Sequence, residues 1–230
     1  MEEKAIILPF SGYHSKDELF SALQSLTKPE IKNLISHVLF NDAVHIGGAS
    51  FIECIYFELE SNLNLGLKIF LDLKIFDVSE IMVNILKKYQ SIPNLDILTV
   101  SSQCSISGIR KIRELLPSVK LAMVSIPSDI TEKECSIRFG KSSELKIWSD
   151  LVETRDCYRA RFGDEEPFDL VVCSSQELNF LRLNLSQNYG FIISEEDSDN
   201  YQKLTIKATE LISRGATFVV SKDINSLLGV

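Results

Sequence analysis

The stretch Leu71-Asp-Leu-Lys-Ile-Phe-Asp77 sets two carboxylates and an amine close together. Asp72 and Lys74 are two apart, so on a strand they project to the same side. Asp77 falls just past the strand's end, and Leu71, Leu73 and Ile75 suit the opposite, apolar face. Buried charges cost several kcal/mol unless they are paired, so the three are expected to form one network. That network has two readings. It is an ion pair closing the end of a sheet, or a catalytic cluster.

Other reactive side chains are weaker candidates. The acidic Phe162-Gly-Asp-Glu-Glu166 could hold a divalent cation but reads as a solvated turn. Cys173 ends an apolar run and reads as a buried, inert thiol, not a nucleophile. His14 lies in the first loop, near a site or simply on the surface. Phe76, Met82 and Tyr89 read as core or interface. Lys87-Lys88 and Arg110 to Arg113 read as solvated helix faces. The 5 cysteines are scattered and form no C-x-x-C pair, and the 3 histidines lie at no ligand spacing. No metal site is expected.

Elements must position these groups. Short apolar runs recur at residues 5–8, 43–46, 67–71, 95–100, 119–124, 168–173, 191–193 and 217–220. Rich in Val and Ile, they read as parallel strands buried on both faces. The segments between them have helical spacing: Leu19, Leu23 and Leu26 after Ser15-Lys-Asp-Glu18, a capping box; Val83, Leu86 and Tyr89; Ile109, Ile112, Leu115 and Leu116; and Ile206, Leu211 and Ile212 before Gly215. This alternation predicts a single (β/α)8 TIM barrel over residues 1–230. A doubly wound sheet is the alternative, weakened because no G-x-G-x-x-G follows the first strand. The catalytic groups of such barrels sit at the C-terminal ends of strands, where 71–77 falls. Residues 129–167, expected to hold a helix, and the acidic loop 194–200 would also open onto that mouth.

At 230 residues, 45% hydrophobic and 24% charged, the chain can bury a full core. A net charge of -8 with no basic run argues against nucleic-acid and anionic-membrane surfaces. No apolar run approaches the roughly 20 residues of a membrane span, and the acidic start Met1-Glu-Glu-Lys4 does not read as a signal peptide. Unpaired thiols fit a cytoplasmic protein.

Asp72-x-Lys74-x-x-Asp77 on the third predicted strand resembles the signature of the orotidine 5'-phosphate decarboxylase family. Three further segments resemble that family in order: Leu95 to Val100 its fourth strand, Arg113 to Ser128 its approach to strand five, and Asp169-Leu-Val-Val-Cys-Ser-Ser-Gln-Glu177 its strand six. The resemblance covers roughly residues 65–180. It implies a carboxy-lyase that turns orotidine 5'-monophosphate into uridine 5'-monophosphate without metal or cofactor. Lys74 would protonate the pyrimidine C6 as carbon dioxide leaves. Asp72 would lie beside the departing carboxylate, and Asp77 would reach into the site of a homodimer partner. Ser128 would bond the pyrimidine edge.

The chain departs from that family at several positions. A strand-one acid is missing from Ile7-Leu-Pro-Phe-Ser11, and His45 stands where a lysine is usual. Ser101 replaces a histidine after strand four, Ile193-Ser-Glu-Glu196 replaces a loop bearing arginine, and Lys222 takes the place of a second arginine. His45, Ser101, Ser128 and Lys222 are therefore the expected substrate-binding residues, with a weakened phosphate grip. A pyrimidine nucleotide is the expected partner. A different anionic substrate, or a barrel that no longer catalyses, are the alternatives.

Overall fold

The computed structural model describes residues 5–10, 12–13, 15–24, 33–41, 44–62, 64, 66–185, 188–194 and 201–221. Eight strands close into a parallel barrel in chain order: β1 (Ile6–Phe10), β2 (Ile35–Phe40), β3 (Lys68–Ile75), β4 (Leu95–Ser101), β5 (Lys120–Val124), β6 (Leu170–Cys173), β7 (Gly190–Ser194) and β8 (Phe218–Val220). The described α-helices are α1 (Lys16–Gln24), α2 (Val44–Phe57), α3 (Ser79–Leu86), α4 (Ile106–Leu115), α5 (Glu132–Phe139), α6 (Ser143–Phe162), α7 (Leu178–Asn184) and α8 (Tyr201–Ser213). The chain folds as the TIM barrel its rhythm predicts.

Alternation divides the apolar residues in two. Inward side chains, among them Ile7, Leu39, Phe70, Ile97, Ala122, Leu170, Ile192 and Val220, fill the barrel. Outward ones, such as Leu71, Ile75, Leu98, Val100 and Leu121, bury against helix residues including Met82, Leu86, Ile109 and Ile112. Caps end the helices where the sequence places them. Ser15 Oγ accepts from the Glu18 N–H at 3.2 Å at the start of α1. Past α8, Gly215 has φ 100°, with Gly215 N–H bonded to Ile212 O at 2.8 Å and Ala216 N–H to Leu211 O at 3.0 Å. That pair of bonds is a Schellman ending.

Two expectations are corrected. The second strand is Ile35–Phe40, and residues 44–46 instead open α2, which is broken at Gly48 with φ 62°. Polar Ser36 and His37 disguised the true strand, and each has a partner inside the fold. Ser36 Oγ donates to Ile6 O at 3.1 Å, and His37 Nε2 donates to Asp96 at 2.9 Å. The segment 129–167 holds two helices, not one. Gly140, at φ 64°, ends α5, and α6 begins three residues later.

The end of the barrel where strands start is closed by charge. Lys68 and Lys120, the first residues of β3 and β5, each lie 3.2 Å from Asp96, the second residue of β4, which also accepts from buried His37. Among the described residues, no helix is long and apolar enough to cross a membrane.

Candidate active site

At the opposite end, a cavity of about 620 Å³ opens between the strand tips, with Phe70, Asp72, Lys74 and Thr99 on its lower wall. A bulge in β3 brings the charged pair there. Leu71 pairs with Leu98 and Ile75 with Val100, so Asp72, Leu73 and Lys74 together face Thr99 alone. Lys74 takes φ 45°, a left-handed conformation that costs a non-glycine residue about 1 kcal/mol. Thr99 holds it there: its Oγ1 accepts from the Lys74 N–H at 2.7 Å and donates to Asp72 Oδ1 at 2.9 Å. Lys74 Nζ bonds the other oxygen, Asp72 Oδ2. Asp72 is largely buried, and Lys74 is half exposed toward the cavity. An ammonium is thus aimed at a ligand-sized space, with its carboxylate partner fixed on both oxygens.

Asp77 stands apart. Its Oδ1 accepts from the Val78 N–H at 2.7 Å, and it lines a separate shallow recess with Phe76, Val78 and Ser105. Within one chain, therefore, Lys74 is paired with Asp72, and Asp77 faces outward. Ser128 is exposed on the cavity rim, in the loop after β5. Ser101 ends β4, where its Oγ accepts from the Gln103 N–H at 3.2 Å, and it is not on the cavity wall. His45 lies in the first turn of α2, with its side chain outside the described residues; His14 and Lys222 lie outside them altogether.

Sequence reasoning missed Thr99 as a site residue. The signal was present, since Thr99 is two positions from inward Ile97 and so points the same way. It also missed Glu177, whose buried carboxylate accepts from the Ser174 N–H at 2.6 Å on the far wall, and Lys207 of α8, which lines the cavity. Cys173 is buried, and burial together with nearby Glu177 pushes its thiol well above the usual range, as an inert thiol requires. Two of the three acids of 162–166 are engaged as ion pairs, Glu165 with Arg110 and Glu166 with Arg159. No group of three or more metal-type ligands occurs among the described residues.

No protein-family model matches the chain. It is 27% identical over 160 residues to the orotidine 5'-phosphate decarboxylase of Aquifex aeolicus (strain VF5), a match spanning 66% of this chain and 64% of that relative. The chain thus spans just under two thirds of that protein's length. Among solved structures it superposes on the orotidine 5'-phosphate decarboxylase of Lactobacillus acidophilus with a TM-score of 0.65 and 17% identity, over 95% of this chain and 90% of that one. The Methanocaldococcus jannaschii enzyme complexed with inhibitor BMP gives a TM-score of 0.63 and 12% identity, over 94% and 87%. The barrel fold and a stretch of matching sequence thus make this chain distantly similar to the orotidine 5'-phosphate decarboxylase family.

Proposed function

We propose that the chain is a carboxy-lyase of the orotidine 5'-monophosphate decarboxylase type, acting at the mouth cavity. The observation that carries this reading is the Lys74–Asp72 pair locked to Thr99 beneath a ligand-sized space. With a pyrimidine nucleotide bound, the C6–carboxylate bond breaks, carbon dioxide leaves, and the electron pair stays on C6. Lys74 Nζ gives its proton to that carbon. Asp72, beside the departing carboxylate, disfavours the ground state and keeps the ammonium oriented. Ser128, His45 and Lys222 are proposed to contact the substrate, Ser101 is left out because it is off the cavity wall, and no metal or cofactor enters the step.

The functional unit in this reading is a homodimer in a cytoplasmic setting. Phe76, Val78, Ile81 and Ile85 expose apolar surface around Asp77. A second copy covering that patch would bring Asp77 toward the partner's mouth. The test is loss of orotidine 5'-monophosphate absorbance with time. Wild type is expected to turn over, and Lys74→Ala to lose at least the 10²–10⁴-fold typical of a general acid. Absent turnover in the wild type would sink the assignment.

One observation favours the alternative of a different substrate. The described cavity wall carries Asp72, Asp129, Glu132 and Glu177 against Lys74 and Lys207. An excess of carboxylates repels a phosphate dianion. Preferential binding of the unphosphorylated nucleoside would select that reading.

A further inference from the structure

We propose that Asp150 is the positioning residue of the mouth, acting through the two strand-end serines that it binds. Asp150 lies on α6 and is 9% exposed. Ser102, the first residue after β4, and Ser125, the first after β5, each donate a hydroxyl to Asp150 Oδ2 at 2.7 Å. Lys146, one helical turn earlier, approaches the two oxygens at 2.5 and 2.6 Å. The Ser102 N–H also bonds Val124 O at 2.9 Å, so the β4–β5 ladder extends up to this knot.

What hangs from the knot is the site. Three residues before Ser102, β4 carries Thr99, which holds Asp72 and Lys74. Three residues after Ser125 comes Ser128, on the cavity rim. The helix bearing Asp150 supplies Ile147 to the cavity wall. One carboxylate therefore joins three walls of the mouth. Apolar packing could hold α6 against the barrel equally well, and buried ion pairs are seldom kept for adhesion alone. A hydrogen-bonded carboxylate adds direction: it fixes the turn of the β5 loop relative to β4, and hence Ser128 relative to Lys74.

This inference takes its choice of ligand from the proposed function, but its first readout needs none. Amide hydrogen exchange of residues 125–131 is expected to rise about tenfold in Asp150→Asn and in Ser125→Ala, the scale of one lost charge-assisted hydrogen bond, and to stay at the wild-type level in Ser125→Thr. The second readout is calorimetric affinity for 6-hydroxyuridine 5'-monophosphate. Ser125→Ala is expected to weaken it about tenfold alone and to add nothing in a Ser128→Ala background, because the tether acts through Ser128. Unchanged exchange in 125–131, or additive losses from Ser125→Ala and Ser128→Ala, would overturn the proposal. If the wild type does not bind the nucleotide while exchange still responds, the functional reading fails and the tether stands. Should Asp150→Asn not fold, Ser125→Ala carries the same test, since it leaves the Lys146 pair intact.

Discussion

Lys74 combines three demands that conflict elsewhere in proteins: a left-handed backbone, a half-exposed charge and a carboxylate partner. Its position on a strand was legible from the apolar residues at 71, 73 and 75. The bulge was not, because nothing in Asp-Leu-Lys signals a two-residue surplus; it follows from Thr99, a residue distant in sequence, accepting the Lys74 N–H. Strain of this kind persists where the surroundings over-determine it. Removing the side chain should therefore expose the backbone cost. Lys74→Gly is expected to be about 1 kcal/mol more stable than Lys74→Ala in urea titration, because glycine adopts φ 45° freely. Equal stabilities would mean that the conformation is not strained.

Among the elements, most strands were readable because barrel strands are apolar on both faces. Strand two was not, because it carries His37 inward to the Asp96 floor, where polar residues break the apolar run. The two helices of 129–167 were merged by reading through Gly140, the residue that ends α5. Packing between strands sets its own limits. A Cβ on Gly190 would stand 2.6 Å from Leu170 Cδ2 and 2.7 Å from Thr217 Oγ1. That hydroxyl accepts from the Phe191 N–H at 3.1 Å, so it cannot turn away without a loss. Gly190→Ala is expected to cost roughly 1–3 kcal/mol, measured by thermal and chemical unfolding. A neutral result would mean that β6, β7 and β8 are looser than they look.

The whole molecule has a charged floor, and its stability should depend on pH through that floor. Burial, the largest influence, holds His37 below its usual pKa, with Lys68 and Lys120 acting the same way and Asp96 opposing. For Asp96, burial acts to raise the pKa, but His37, Lys120 and Lys68 together outweigh it and pull it far below the carboxylate range. In both cases the unfolded chain takes up the proton first, so both contributions weaken on acidification. The His37 contribution is complete above 6.5 and is lost as the pH falls toward its lowered folded value; the Asp96 contribution begins to go below 3.8. Denaturation between pH 7.5 and 5 is expected to show a stability loss of at most about 1.4 kcal/mol per pH unit from His37, which His37→Gln removes. An identical pH slope in that variant would assign the loss elsewhere. Assembly is a second property at this scale. If Phe76 and Val78, 62% and 60% exposed, sit under a second copy, Val78→Lys is expected to convert a dimer to a monomer by light scattering. A wild type that is already monomeric would remove the dimer and Asp77's cross-chain role together.

The surplus in strand three has one more consequence. The ladder to β4 resumes across the bulge, with Leu71 paired to Leu98 below it and Ile75 to Val100 above it; two of the three residues between them are surplus to that pairing. The charged pair at the mouth is an inserted part, free to change in a lineage while the frame around it survives. Side chains there can change at little cost to the ladder on either side.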